Sequence, residues 1–261
     1  MLLTIDVGNT DTKLGYFDAA TLVANWRVTT ARRRTADEYG VLFQAFFSAS
    51  GLDLAAVEAI VVASVVPQID RMLAEACRKY FRRDPIPFTA ATQTLLTIKT
   101  DRPLELGADL AAGAIAGYAH AGGASIVVNF GTATTFSAID ADGAFLGAAI
   151  APGINISIDA LATRTAKLPQ IALAAPPSPI GRDTISALQS GIVYGAVGQT
   201  EGIVARMRAT LGSAAVIATG GLAEIIARET RVIERVEPYL VLDGLRLHYA
   251  ALMQRSATEP V

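Results

Sequence analysis

The stretch LLTIDVGNTDTK (residues 2–13) sets the architecture, because its pattern returns at IVVNFGTATTFS (residues 126–137). In both stretches an apolar run ends beside a polar residue, Asp6 in the first and Asn129 in the second, and glycine and hydroxyl residues follow. Positions 6 and 129 differ by 123, close to half of the 261-residue chain. Agreement over about a dozen positions favours an internal repeat over the coincidence of two β-rich segments.

The same offset pairs Gly8 with Gly131 and Thr10 with Ala133. A strand, a glycine turn and a second strand are therefore expected at both places. We expect two similar lobes that face each other across a cleft, and clefts between lobes are favoured ligand sites.

The pattern of apolar residues predicts an α/β chain in which each half begins with a three-strand meander and continues into helices. Strands are predicted at 2–7, 12–17, 22–30, 59–67, 85–90, 125–130, 134–140, 144–151 and 214–221. Helices are predicted at 36–50, 69–82, after Gly107, at 153–166, at 183–210, after the glycine pair at 220–221, and at the end of the chain. The predicted lobes comprise residues 1–118 and 119–261.

Composition indicates a globular protein, with 52% hydrophobic residues, 18% charged residues and a mean hydropathy of +0.40. The net charge of −2 provides no basic field that would attract nucleic acid or anionic lipid. One cysteine, Cys77, excludes an intrachain disulfide and a cysteine metal cluster, and it is expected in the core. Neither a signal peptide nor a membrane-spanning run is recognised. We therefore expect a cytoplasmic protein without nucleic-acid or membrane partners.

The first turn has the composition of a phosphate-binding hairpin. Glycine lets the backbone approach an anion, and backbone N–H groups and hydroxyls donate to phosphate oxygens. The candidate residues are Gly8, Asn9 and Thr10, with Lys13 as a point charge for phosphate. Asp6 is a candidate ligand for Mg²⁺, which commonly uses one or two carboxylates together with phosphates.

Two further glycine clusters extend this reading to the second half of the chain. Gly131 and Thr132 would donate to phosphate, and Gly220 and Gly221 would let a nucleotide's base and ribose lie against the backbone. Each cluster alone is equally compatible with an ordinary tight turn.

Asp109 lies in the predicted first turn of the helix after Gly107. A carboxylate there could accept the proton of a substrate hydroxyl, as the base in phosphoryl transfer does. It could equally compensate the helix dipole, and position alone leaves both interpretations open.

Several motifs in a fixed order resemble one family over nearly the whole chain. They are DVGNTDTK (6–13), ELGAD (105–109), FGTATTF (130–136), GAAIAPGI (147–154), TRTAKLP (163–169), IGRDTISALQSGIVYG (180–195) and ATGGLA (218–223). They are similar to the type III pantothenate kinases, which belong to the actin and hexokinase superfamily of ATPases. The resemblance implies two duplicated ribonuclease-H-like (actin-like ATPase) lobes with a central cleft.

The resemblance also implies an activity: ATP-dependent phosphorylation of pantothenate to 4'-phosphopantothenate, the first step of coenzyme A synthesis. It implies ATP, Mg²⁺ and a monovalent cation (K⁺ or NH₄⁺) as cofactors, and a homodimer. By the same resemblance Asp109 is the general base, and Asp6 and Asn129 are the metal-site residues. The implied substrate-binding residues are Thr100, Gly107, Ala108, Asp109, Leu110, Arg164 and Thr184.

Some positions depart from the family pattern. Leu110 stands where the family has a substrate-binding arginine, and Asn129 stands where it has a cation-binding aspartate. Thr100 replaces an aromatic residue near the substrate. Arg102, Lys99 and Arg164 are the cations available to replace the missing arginine. Two alternatives therefore stay open: a degenerate paralogue that binds nucleotide or pantothenate with little turnover, and a kinase for a hydroxylated substrate without pantothenate's carboxylate.

Overall fold

The computed structural model describes residues 1–258, which form two compact units. The first unit contains residues 1–97 and 101–116 and the chain from Leu240, and the second contains residues 98–100 and 117–239. The predicted lobes, 1–118 and 119–261, follow chain order and therefore differ from these units chiefly at the last helix. Residues 259–261 of the predicted second lobe lie outside the described residues.

The first unit is built on a five-stranded sheet with the order β3-β2-β1-β4-β5. Its elements are β1 (Leu2–Val7), β2 (Asp11–Asp18), β3 (Thr21–Thr29), α1 (Ala36–Ala49), β4 (Ala59–Ser64), α2 (Pro67–Ala76), β5 (Ile86–Phe88), the start of α3 (Ala108–Ala121) and, at the end of the chain, α7 (Leu240–Thr258). All six residues of β1 are buried, as expected for a central apolar strand. The edge strand β3 instead alternates between half-buried and exposed residues.

The predicted strand 59–67 and helix 69–82 are both modified around Pro67. The strand ends at Ser64 because Pro67 is the first residue of α2, where a missing N–H is tolerated. The helix changes at Cys77 into a π-helical turn that runs to Phe81. Cys77 is buried in the core of the first unit, as its helical pattern predicted.

The second unit repeats this plan with a six-stranded sheet in the order β11-β10-β7-β8-β9-β6. Its elements are β6 (Thr97–Ile98), β7 (Ser125–Phe130), β8 (Ala133–Ile139), β9 (Ala144–Pro152), α4 (Ile154–Arg164), α5 (Thr184–Leu211), β10 (Ala215–Thr219), α6 (Ala223–Ala227) and β11 (Arg235–Val236). In each unit the first strand pairs antiparallel with the second and parallel with the strand that follows the meander. The predicted α/β fold of duplicated lobes is confirmed.

The two hairpin turns differ in length by one residue, which corrects the pairing of Thr10 with Ala133. In the first turn the Gly8 N–H donates to the Asp11 carbonyl at 3.0 Å, and in the second the Gly131 N–H donates to the Ala133 carbonyl at 3.1 Å. Ala133 is therefore the counterpart of Asp11. The offset of 123 residues between the two halves therefore relates equivalent residues up to the turn but not beyond it, because the second turn closes one residue earlier.

The last helix packs in the first unit through a close backbone contact. A Cβ atom added to Gly244 of α7 would lie 1.9 Å from the carbonyl oxygen of Ala112 in α3. Leu242 and Leu245 of the same helix are fully buried. Chain order alone did not predict this placement. Among the described residues, we find no helix both long and apolar enough to cross a membrane.

Candidate active site

Asp6 and Lys13 form the centre of the site in the first unit. They lie directly opposite each other on β1 and β2, so their side chains project from the same face of the sheet. Asp6 is only 6% exposed. Burial raises its pKa from 3.8 to about 7, Lys13 opposes this shift, and the nearby Asp109 carboxylate adds to it. The structure therefore brings together three of the predicted residues, the carboxylates of Asp6 and Asp109 and the ammonium group of Lys13.

Asp109 lies in the first turn of α3, and its carboxylate folds back onto the helix N-terminus. A Cβ atom on Gly107 would lie 2.7 Å from its Oδ1, so the absent side chain at 107 makes room for this carboxylate. Burial raises the pKa of Asp109, while a hydrogen bond from the Leu110 backbone N–H and the charge of Lys13 lower it. Ala108 is buried beside it. The contact with the helix N-terminus is thus observed. It is compatible with proton acceptance, because burial is the strongest influence and raises the pKa of Asp109.

The turn between β1 and β2 is tied to β3 by contacts that sequence reasoning did not predict. The Thr30 hydroxyl donates to the Gly8 carbonyl at 2.7 Å, and the Thr30 backbone N–H donates to the Thr10 carbonyl at 2.8 Å. Arg27 of β3 forms an ion pair with Asp11. The predicted three-strand meander could have indicated these contacts, because it places the end of the third strand beside the first turn.

Asn129 occupies in β7 the place that Asp6 occupies in β1. Its side-chain oxygen Oδ1 is buried and accepts no hydrogen bond from the residues that the structure describes. The same holds for the hydroxyl of Thr135, the residue directly opposite Asn129 on β8. Two neighbouring buried oxygens without donors are the kind of ligand that a hard cation takes.

Gly220 is required beside Asn129 for two reasons. Its φ of +95° is a conformation that other residues rarely adopt. A Cβ atom would also lie 2.5 Å from the carbonyl oxygen of Phe130 and 2.7 Å from Asn129 Oδ1. Gly220 therefore follows β10 against the end of β7, and Gly221 after it is exposed.

The second hairpin turn is held by the start of α4. A Cβ atom on Gly153, the N-cap of that helix, would lie 2.0 Å from the Thr132 carbonyl and 2.8 Å from that of Gly131. The predicted phosphate-facing turn is therefore packed against backbone on one side.

The other predicted substrate residues are distributed over both units. Gly107, Ala108, Asp109 and Leu110 belong to the first, and Thr100, Arg164 and Thr184 belong to the second. Arg164 and Thr184 are exposed, at the last turn of α4 and the first position of α5. The Thr100 hydroxyl is buried and has no hydrogen-bond partner among residues 1–258. It is therefore polar and unsatisfied, as a substrate contact would be before the substrate binds.

Two of the three cations considered as replacements for the arginine absent at position 110 already have anionic partners. Arg102 pairs with Glu105 at 3.0 Å, and Lys99 pairs with Asp140 at 3.5 Å.

Comparison with known proteins shows which family this chain is similar to. The family model described as type III pantothenate kinase matches residues 2–206. A type III pantothenate kinase of Roseiflexus castenholzii is 52% identical over 250 residues, which cover 95% of this chain and 98% of that protein. The enzyme of the same name from Moorella thermoacetica is 47% identical with the same coverage.

Solved structures support the fold alone, because their sequence identities are low. A structure described as a 2-dehydro-3-deoxygalactonokinase from Sinorhizobium meliloti superposes with a TM-score of 0.59 at 13% identity, over 100% of this chain and 98% of its own. The activator of 2-hydroxyisocaproyl-CoA dehydratase from Clostridium difficile gives a TM-score of 0.51 at 11% identity, with the same coverage of both chains.

Proposed function

We propose that this chain, which belongs to the type III pantothenate kinase family, transfers the γ-phosphoryl group of ATP to pantothenate in coenzyme A synthesis. The observation that carries this function is the 52% identity over 95% of the chain to a type III pantothenate kinase. In the structure, the grouping of Asp6, Lys13 and Asp109 supplies the charges that phosphoryl transfer requires. No observation favours the degenerate alternative.

Each residue of this group has a separate role. Asp6 would hold Mg²⁺, and the fit is good because its buried carboxylate has a raised pKa and gains from a positive ligand. When bound, the metal neutralises charge on the phosphates. Lys13 attracts the same phosphates. Asp109 accepts the proton of the primary hydroxyl as the hydroxyl oxygen attacks the γ-phosphorus and ADP leaves.

We assign the nucleotide contacts of the first unit to Gly8, Asn9 and Thr10, with the Asn9 N–H as a donor because the Gly8 N–H already donates to the Asp11 carbonyl. In the second unit the nucleotide contacts assigned are Gly131, Thr132, Gly220 and Gly221. The pantothenate contacts assigned are Thr100, Gly107, Ala108, Leu110, Arg164 and Thr184. Support comes from the matching motifs and, for Thr100, from its buried and unsatisfied hydroxyl.

A monovalent cation, K⁺ or NH₄⁺, is proposed at Asn129. The residues fit such an ion because Asn129 Oδ1 and Thr135 Oγ1 are adjacent, buried and without donors among the described residues. An amide oxygen coordinates K⁺ without the negative charge of an aspartate, so we expect weaker binding than an aspartate would give.

A homodimer is proposed from the exposed face of α5. Gly191, Gly195 and Gly198 lie on this face, and a Cβ atom on any of them would meet nothing within 4 Å. Glycine inside a helix costs about 1 kcal/mol relative to alanine, and no packing within the described chain requires it here. A second helix that approaches closely would require it.

Turnover of pantothenate tests the function directly. ADP release is measured with pantothenate in the presence and absence of K⁺, for the wild type, Asp109→Asn and the control Asp142→Asn, an exposed carboxylate in the β8–β9 turn. We expect turnover in the wild type and the control, and a loss of at least 100-fold in Asp109→Asn. No turnover by the folded wild type would contradict the proposal.

A second arm addresses the substrate. Pantothenol has an alcohol in place of pantothenate's carboxylate, and turnover of pantothenol in preference to pantothenate would favour the kinase for an uncharged substrate. A cytoplasmic location and the lack of nucleic-acid and membrane partners stay predictions.

A further inference from the structure

Thr30 connects the end of β3 to the turn between β1 and β2 through both its backbone and its side chain. Its N–H donates to the Thr10 carbonyl at 2.8 Å, and its hydroxyl donates to the Gly8 carbonyl at 2.7 Å. The hydroxyl also lies 2.9 Å from that of Thr12. Since a hydroxyl has one hydrogen, and Thr30 gives its hydrogen to Gly8, Thr12 is the donor in the second bond.

The two bonds that Thr30 donates, to the carbonyls of Gly8 and Thr10, fix the direction of two peptide groups. A trans peptide is planar, and its C=O and N–H point in opposite directions. All peptides of the described chain are trans. Because the carbonyls of Gly8 and Thr10 point toward Thr30, the N–H groups of Asn9 and Asp11 point away from β3. These two N–H donors therefore lie on the side of the turn away from β3, opposite the two carbonyl acceptors.

This orientation matters for an anion. A phosphate oxygen is attracted by N–H groups and repelled by carbonyl oxygens, so a peptide in the reverse orientation would turn attraction into repulsion. Reversal of the Gly8–Asn9 peptide is a rotation of ψ at Gly8 and of φ at Asn9, which glycine's wide conformational range and asparagine's tolerance of positive φ make easy. The Thr30 hydroxyl is the contact that holds the Gly8 carbonyl in place.

We infer that Thr30 is a positioning residue for nucleotide binding, which acts by orienting the peptide groups of the β1–β2 turn toward phosphate. The inference rests on the proposed function in one respect, that the phosphates of ATP bind at this turn. Thr30 itself does not contact the nucleotide. Its effect is therefore expected on ATP and ADP, and not on the acceptor substrate.

The decisive variant is Thr30→Val, which keeps the β-branched shape and the backbone N–H but removes the hydroxyl. We expect the KM for ATP and the Kd for ADP, the latter measured by calorimetry, to rise about tenfold, the size of one net hydrogen bond, because the bond to the Gly8 carbonyl is the one that orients the turn. The Thr12 hydroxyl also loses its acceptor, which affects stability. The KM for pantothenate should stay within about twofold. Thr30→Ser should restore the wild-type values, and the control Thr21→Val, exposed at the other end of β3, should not change them.

Three outcomes would overturn the inference: wild-type nucleotide affinity in Thr30→Val, an equal rise of both KM values together with a lowered melting temperature, or failure of Thr30→Ser to restore affinity. If Thr30→Val does not fold, Thr30→Ser and Thr30→Ala make the same comparison. Failure of the proposed function has a different signature. The wild type would then not phosphorylate pantothenate, while ADP calorimetry on the same variants would still test Thr30.

Discussion

Replacement of Asp6 by asparagine is expected to abolish phosphoryl transfer and to stabilise the ligand-free protein at high pH. Burial raises the pKa of Asp6 from 3.8 to about 7. The folded protein therefore binds this proton more tightly than the unfolded chain does. Stability falls as pH rises from 3.8 to about 7, where the buried group ionises, and the loss is complete above that pH.

The size of the effect follows from the shift. About three pKa units correspond to roughly 4 kcal/mol of unfolding free energy at pH 8. Asparagine is neutral at every pH and avoids the cost of ionising a buried carboxylate, but an unsatisfied buried amide costs about 1–3 kcal/mol. A net gain of roughly 2 kcal/mol should raise the melting temperature by roughly 4–8 °C.

Thermal unfolding in EDTA at pH 5 and pH 8 measures this directly. Asp6→Asn should melt above the wild type at pH 8, and the difference should shrink or reverse at pH 5. Asp18→Asn, an exposed carboxylate at the end of β2, is the matched control and should show no such dependence. Mg²⁺ with ATP should stabilise the wild type and should stabilise Asp6→Asn far less. An Asp6→Asn protein that is destabilised equally at both pH values would refute the reasoning.

Two further substitutions test the second unit. Asn129→Asp adds the missing negative charge beside Thr135 and should lower the K⁺ concentration for half-maximal activity about tenfold, measured by K⁺ titration at fixed ATP; an unchanged requirement would remove Asn129 from the cation site. Gly195→Leu places a bulky side chain on the exposed face of α5 and should convert a dimer to monomers, as measured by sedimentation. A monomeric wild type would contradict the proposal that the glycines of α5 allow a second subunit to pack closely.

The duplicated fold was predictable because both halves of the chain contain the same local pattern of an apolar strand, a glycine turn and a second strand. Strands β1 and β7 are apolar runs that end in the same way, and the order β3-β2-β1-β4-β5 is equivalent to β9-β8-β7-β10-β11. Only β6 of the second sheet has no counterpart. The shorter second turn was not predictable. Both turns contain glycine and hydroxyl residues, so the sequence aligns equally well with Thr10 opposite Ala133, and only the hydrogen bond of Gly131 shows where the turn closes.

The candidate site was predictable where residues are close in the chain and not where tertiary contacts create it. Asp6 and Lys13 share a hairpin, and Asp109 follows a recognisable glycine. Thr30 was missed because a threonine at a strand end is common, and its significance arises only from bonds to residues about 20 positions earlier. The place of α7 in the first unit depends on a glycine contact with α3, which no local pattern records.

The anchoring of the first turn on β3 also links the turn to the motions of that strand. β3 is an edge strand without a fully buried residue, and elements with so little burial are expected to open at low free energy. When its end frays, the Gly8 and Thr10 carbonyls lose their donors while β1 and β4 remain folded. The turn can therefore lose its orientation through a local opening, without global unfolding. Backbone amides of β3 should thus exchange with solvent more slowly once nucleotide is bound, although β3 itself need not touch the ligand.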